Sequence, residues 1–170
     1  MCAPETPIKT YVTLVHGNPP EKTFEINAPL APHPVNVGLM RVDREHGKKS
    51  CTRFEVREFF QGYTLVQCQP LTDRTHQVRV HLQHAGFPVI GATTYGGREL
   101  LLSALKSEYR LKPNRTERPL IRTAALHVER LEFIHPATSE TMGIDAPWTK
   151  DLTVAIKYLR RYASGQQHCH

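Results

Sequence analysis

Long apolar runs are missing from this 170-residue chain. None approaches the ~20 residues that a membrane-crossing helix requires, which excludes such a helix. The start, Met1-Cys2-Ala3-Pro4-Glu5-Thr6-Pro7, lacks the basic opening and apolar centre of a secretory signal. A cytoplasmic location is therefore expected. Cysteine is sparse and scattered at Cys2, Cys51, Cys68 and Cys169, with no pair at C-x-x-C spacing. That removes the common zinc and thiol-redox motifs. His76, His81 and His84 match no zinc spacing, and His168-Cys169-His170 reads as a frayed tail. No metal is expected.

What remains is the composition of a folded, basic protein. Apolar residues make up 39% and charged residues 22%, enough for a packed core and too little charge for a disordered chain. Lys and Arg number 22 against 16 acids, a formal charge of +6. Such a surplus fits a polyanionic partner, RNA or DNA, as well as it fits a mildly basic protein that is merely soluble.

The first half has the pattern of a sheet. Tyr11–Val15, Lys22–Ile26 and Val37–Val42 read as strands separated by turns, with Ala31-Pro32-His33-Pro34 too proline-rich for regular structure. Thr52–Phe59 alternates strictly, and Gln61-Gly62 turns it into Tyr63–Cys68 as a hairpin. After Pro70 the period changes. Thr75–Ala85 places Val78, Leu82 and Ala85 at helical spacing, with Thr72 or Asp73 as N-cap and Gly86 as the stop. Glu99–Tyr109 predicts a second helix, and Leu111–Pro119 a basic loop. Ala124–Ile134 and Thr141–Ile144 predict a strand pair, and Asp151–Tyr162 a terminal helix. No repeat or linker divides the chain. Residues 1–170 read as one domain of α+β class, a mainly antiparallel mixed sheet with flanking helices, ending in a disordered tail over 163–170.

The densest polar cluster runs from Thr72 to His84. Arg79, His76 and Gln83 can share one side of a helix there, and a guanidinium so placed can clamp a carboxylate or phosphate. The alternative is a solvated amphipathic helix.

Arg74-Thr75-His76-Gln77-Val78-Arg79-Val80-His81-Leu82, followed by Gly86-Phe87-Pro88-Val89-Ile90-Gly91 and Tyr95-Gly96, closely resembles the late signature of the RluA-type pseudouridine synthases. Lys9–Gly17 is similar to that family's K-x-Y-x-A-x-V-x-G strand, and Ala28-Pro29-Leu30 to its proline-ended second strand. Ala125-Leu126-His127, Leu131–Pro136 and Ala146-Pro147 follow its closing pattern. The matches stand in order over residues 9–162.

The resemblance implies isomerisation of uridine to pseudouridine in structured RNA, tRNA or rRNA, without a cofactor. It implies that Arg79 pairs with the carboxylate of a nucleophilic aspartate and that Tyr11 lies against the uracil ring, the two lining walls of one nucleotide cavity. Arg74, His76, Gln77, Lys112, Arg115 and Arg118, with Arg122, are the expected RNA contacts.

The family's aspartate lies in an H-R-L-D-x-x-T-S-G segment that this sequence does not show. Arg41-Val42-Asp43 imitates it but continues as Arg44-Glu45-His46-Gly47, so Asp43 is not expected to be catalytic. Asp73 replaces a glycine common before Arg74, and Ala92 an aspartate common after Gly91. The expectation is an incomplete catalytic domain, inactive alone, with a bare apolar face and strand edge. Its alternatives are a non-catalytic RNA-binding module and a fragment that complements a separate N-terminal half.

Overall fold

The computed structural model describes residues 7–164. Its eight strands are β1 (Ile8–His16), β2 (Thr23–Asn27), β3 (Leu30–Pro32), β4 (Met40–Val42), β5 (Cys51–Phe60), β6 (Tyr63–Pro70), β7 (Leu126–Ile134) and β8 (Thr141–Asp145). The helices are α1 (Gln77–His84), α2 (Leu102–Leu105) and α3 (Lys150–Tyr162). Six strands form one sheet in the order β2-β5-β6-β1-β7-β8, while β3 and β4 pair separately. Every one of these pairings is antiparallel. The α+β class with a mainly antiparallel sheet is therefore the observed architecture.

β1 lies inside the sheet, and Val12, Thr13, Leu14 and Val15 are all buried, so both faces of the strand are covered. Residues paired across antiparallel strands share a face. The row Phe24–Phe54–Cys68–Tyr11–Val128 thus crosses five strands on one side, with Phe24 stacked on Phe54 at 4.9 Å. Thr52, two residues before Phe54, lies on that side and bonds to α1. The opposite side takes α3, whose Arg160 bonds to Glu58 on β5. α3 starts where Thr149 caps the Leu152 N–H. It buries Leu152, Ala155, Ile156 and Leu159 at 3–4 residue spacing, and ends with Arg160 and Arg161 against its dipole. Cys51 and Cys68 are buried strand residues, as their apolar settings predict.

Several boundaries differ from the sequence pattern. Leu30-Ala31-Pro32 pairs with Met40–Val42 despite its proline, which occupies the strand's last position, where a missing N–H costs least. The helix expected over Glu99–Tyr109 shrinks to the four residues of α2, which lacks a side-chain cap. A single turn carries too few bonds to offset its own nucleation. The expected tail begins too early: Ala163 is buried and accepts from the Gln61 N–H at 2.8 Å, and Ser164 bridges to Phe60. The remainder of that tail, with His168-Cys169-His170, lies outside the described residues, as does Cys2. β8 is a sheet edge with all five residues exposed, among them Met142 and Ile144, beside an exposed Ile134. Among the described residues, no helix is long and apolar enough to cross a membrane.

A buried polar network fixes α1 to the sheet. The Thr72 hydroxyl donates to Gln77 Oε1 at 2.9 Å, and Gln77 Nε2 donates to the Cys51 carbonyl and to Thr52 Oγ1. Thr52 then faces His81 Nδ1 at 2.9 Å, and His81 Nε2 contacts the Ala28 carbonyl at 3.0 Å. A carbonyl only accepts, so the His81 proton is on Nε2 and Nδ1 receives the threonine hydroxyl. Burial holds the His81 pKa below its ordinary value of 6.5. The unfolded chain binds this proton more readily, so the stability His81 confers is complete above about pH 6.5 and is lost as pH falls through the window beneath it. Urea unfolding at pH 7.5 and pH 5.0 checks this. Wild type is expected to weaken on acidification. His81→Gln is expected to be about 1–3 kcal/mol less stable at pH 7.5 but to lose less on acidification.

Candidate active site

α1 is short, and its inner face is polar as well as apolar: Gln77 and His81, one turn apart, join Val78, Val80 and Leu82 in burial. That leaves Arg79 on the side away from the network. The expected caps Thr72 and Asp73 do not cap the helix. The N-cap is His76, with φ 56° and no side-chain cap bond. Gly86 does stop it, at φ +85°, and its N–H returns to the Gln83 carbonyl.

Tyr11 from β1 and Arg79 from α1 line one cavity of about 150 Å³, together with Pro70, Asp73, Arg74, His76, Gln77, Val78 and Leu126. Pairing of Tyr11 with Cys68 points its side chain to the α1 side of the sheet. Three polar groups converge on this space without a partner among the described residues. The Arg79 guanidinium makes no hydrogen bond or ion pair there, and its Nε is buried. The Tyr11 hydroxyl and His76 Nε2 are likewise unpartnered. Arg74 donates to the Asp73 carbonyl at 2.9 Å while its own Nε is buried and unsatisfied. Buried donors left unmade cost more than made bonds return, so the Nε atoms of Arg79 and Arg74 mark a place built for an acceptor. Burial, the largest influence, raises the Tyr11 pKa, so the ring is a neutral phenol at neutral pH. Burial and the Arg79 charge lower that of His76.

The cavity mouth has its own ion pair. Lys9 Nζ donates to Asp73 Oδ2 at 2.6 Å, and this bond raises the lysine pKa. Asp73 does not occupy a left-handed backbone position, so replacing glycine there imposes no strain; the left-handed residue is His76. The Ala92 substitution also leaves its loop anchored. Ala92 is buried, its carbonyl accepts the Tyr95 and Gly97 N–H groups, and Tyr95 is buried in the turn that follows. Gly97 approaches so closely that a Cβ would fall 1.8 Å from the Val89 carbonyl oxygen.

Of the expected contact residues, Arg74 and His76 line the cavity with Tyr11 and Arg79. Gln77 borders it but is 3% exposed, and both ends of its amide are used inward. Its side chain holds the helix to the sheet rather than facing a ligand. Gln83 lies outside the cavity, near His84 and Tyr95. Lys112, Arg115, Arg118 and Arg122 are exposed on the segment before β7 and do not line the cavity either. His81 is enclosed with both ring nitrogens engaged, so it cannot share a ligand with His76 and His84. Two features escaped the sequence: the Lys9–Asp73 pair and the bond from Tyr95 to His76. Neither follows from spacing, since 64 and 19 residues separate the partners.

Asp43, the imitation of the catalytic aspartate, lies elsewhere. Its carboxylate accepts the Glu45 and His46 N–H groups and the Arg41 guanidinium, and it lines none of the cavity. The His46 N–H above all, with these other donors, lowers its pKa. Asp43→Ala is expected to speed amide exchange at Glu45 and His46 while leaving the Tyr11 ring resonances in place, a result native-state hydrogen exchange and NMR can read together.

Comparison with known proteins gives consistent results. A model of the family described as RNA pseudouridylate synthase matches residues 1–84. The ribosomal large subunit pseudouridine synthase C of Salmonella typhi is 38% identical over 157 residues, 91% of this chain and 46% of its own length. An uncharacterized RNA pseudouridine synthase of Bacillus subtilis is 34% identical over 157 residues, 92% of this chain and again 46% of its own. Among solved structures, human RNA pseudouridylate synthase domain containing 1 superposes with a TM-score of 0.63 at 25% identity, covering 88% of this chain and 58% of that one. The chain thus spans about half the length of the curated relatives it matches.

Proposed function

Because this chain belongs to the RNA pseudouridylate synthase family, we propose that its cavity receives a uridine turned out of a structured RNA, tRNA or rRNA, and that Tyr11 and Arg79 act on it. The observation that carries this reading is the unpaired Arg79 guanidinium beside the Tyr11 ring. Extruding a nucleotide costs a few kcal/mol of stacking, which an aromatic face and fixed donors offset. In the isomerisation the glycosidic bond from C1′ to N1 breaks, the base turns, and C5 bonds to C1′. The C5 proton then leaves and N1 is left protonated, so no atom is gained or lost and no cofactor is called for. A carboxylate that attacks during this sequence must stay ionised, and an adjacent guanidinium with two parallel donors favours that form. Tyr11, a neutral phenol, packs on the ring and holds a proton at the base edge.

Among the described residues, Asp73 is the one carboxylate bordering the cavity, and Lys9 binds it. Asp43 is occupied in its own turn. This reading therefore assigns the attacking carboxylate to none of the described residues that line the cavity, and takes the chain alone to bind RNA, in the cytoplasm, without turning it over.

Tritium release from RNA carrying 5-tritiated uridine, with RNA affinity measured beside it, tests both parts. Wild type is expected to bind in a salt-sensitive manner and release no tritium. Tyr11→Ala is expected to weaken binding about 5- to 100-fold, the range of one lost base stack. Unchanged affinity in both Tyr11→Ala and Arg79→Ala overturns the cavity as the RNA site. Tritium release by the chain alone that Asp73→Asn abolishes overturns its inactivity.

A further inference from the structure

The bonding around Tyr95 decides which proton His76 carries. Tyr95 Oη lies 3.1 Å from the Met40 backbone nitrogen, which can only donate, so the oxygen accepts there. The one proton of the hydroxyl then points to its other neighbour, His76 Nδ1, at 2.7 Å. Nδ1 is then the acceptor and carries no proton, whereas a proton on Nδ1 would leave the hydroxyl hydrogen of the buried Tyr95 without an acceptor among the described residues. The ring of a neutral His76 must therefore bear its hydrogen on Nε2, the nitrogen that has no partner among the described residues. The ring also sits edge-on to Tyr95 at 5.5 Å and 78°, and its backbone holds φ 56°, a conformation costly for a residue with a Cβ. Tyr95 is 2% exposed, which keeps water from competing for the relay.

We propose that His76 is a hydrogen-bond donor to an oxygen of the bound nucleotide, through Nε2–H, and that Tyr95 is the positioning residue that fixes this tautomer and ring orientation. This deepens the role of the cavity and rests on its reading as a nucleotide site. The chain Met40 N–H, Tyr95 O–H, His76 Nε2–H runs in one direction and ends at the wall shared with Tyr11 and Arg79. It supplies a neutral donor beside the cationic one of Arg79. A neutral donor suits a carbonyl oxygen such as those of uracil, and a phosphate oxygen is the other acceptor of the same chemistry.

Long-range proton–nitrogen NMR of the imidazole at pH 7.5 tests the assignment without reference to turnover, in the whole chain, with uridine 5′-monophosphate and ribose 5-phosphate as probes. The expected wild-type spectrum has Nδ1 unprotonated and Nε2 protonated, and Tyr95→Phe gives mixed tautomers. Uridine monophosphate is expected to shift His76 Nε2, whereas an equal shift with ribose 5-phosphate assigns the acceptor to the sugar phosphate. Affinity for uridine monophosphate should fall about three- to tenfold in His76→Ala and recover in His76→Gln, whose amide restores a donor. Should Tyr95→Phe not fold, that pair of variants carries the test. An Nδ1-protonated ring in wild type, or an unchanged tautomer in Tyr95→Phe, overturns the inference. Shifts at Tyr11 and Arg79 with none at His76 overturn it and leave the cavity standing. No shift at any of the three overturns both.

Discussion

One buried hydrogen-bond chain, from Thr72 through Gln77, Thr52 and His81 to the Ala28 carbonyl, sets where everything else in the site can be. α1 has only eight residues, too few to be stable by its own backbone bonds. Apolar contacts from Val78, Val80 and Leu82 hold it against the sheet but tolerate sliding. Hydrogen bonds to Thr52 and to the Cys51 and Ala28 carbonyls do not, because each donor meets one acceptor at about 3 Å. With Gln77 and His81 so fixed, the residues between and before them are fixed as well. Arg79 and His76 therefore reach the cavity from a rigid element rather than a loop.

The two sides of this segment serve different ends. Burial of Gln77 and His81 is a stability device, and the unsatisfied donors of Arg79 and Arg74 work against stability on their own. A helix that buries two polar side chains with full satisfaction on one face and leaves the Arg79 Nε unsatisfied on another, with a second unsatisfied Nε at Arg74 just before it, is not optimised for the fold alone. The strain at His76 belongs to the same account: a left-handed residue at the helix start, held by Tyr95, stands where an ordinary cap would have been easier to build.

Much of this was legible in the sequence, and the parts that were not share a cause. Alternation exposed the hairpin at Gln61-Gly62, and the 3–4 spacing of Leu152, Ala155, Ile156 and Leu159 exposed α3, because those elements obey local periodicity. Motif order alone pairs Tyr11 with Arg79, and the fold sets both on one cavity. Gln77 reads as an RNA contact in the sequence because a polar residue on a short helix gives no local sign that Thr72, Thr52 and Cys51 will meet it from other elements. The Leu30–Pro32 strand was hidden by its proline, and the α2 region by leucines that serve tertiary packing more than helix. The Tyr95–His76 bond joins two loops' worth of chain, and no pattern in either announces it.

Charge shows why tertiary structure had to decide the site. A net +6 says nothing about where cations are available. Arg41, Arg53, Arg57, Arg130 and Arg160 each sit against an acid, as does Lys9. Exposed pairs of this kind contribute little stability, about 0–1 kcal/mol each, but they remove the cation's claim on a distant anion. Arg79, by contrast, has no acidic partner among the described residues and lies in a recess where solvent screens charge less, next to the neutral phenol of Tyr11 and the neutral imidazole of His76. The Lys9–Asp73 pair at the mouth contributes a dipole and no net charge. On the proposed reading of the cavity, a phosphate or carboxylate would pass the neutral Lys9–Asp73 pair before meeting the Arg79 cation beside Tyr11.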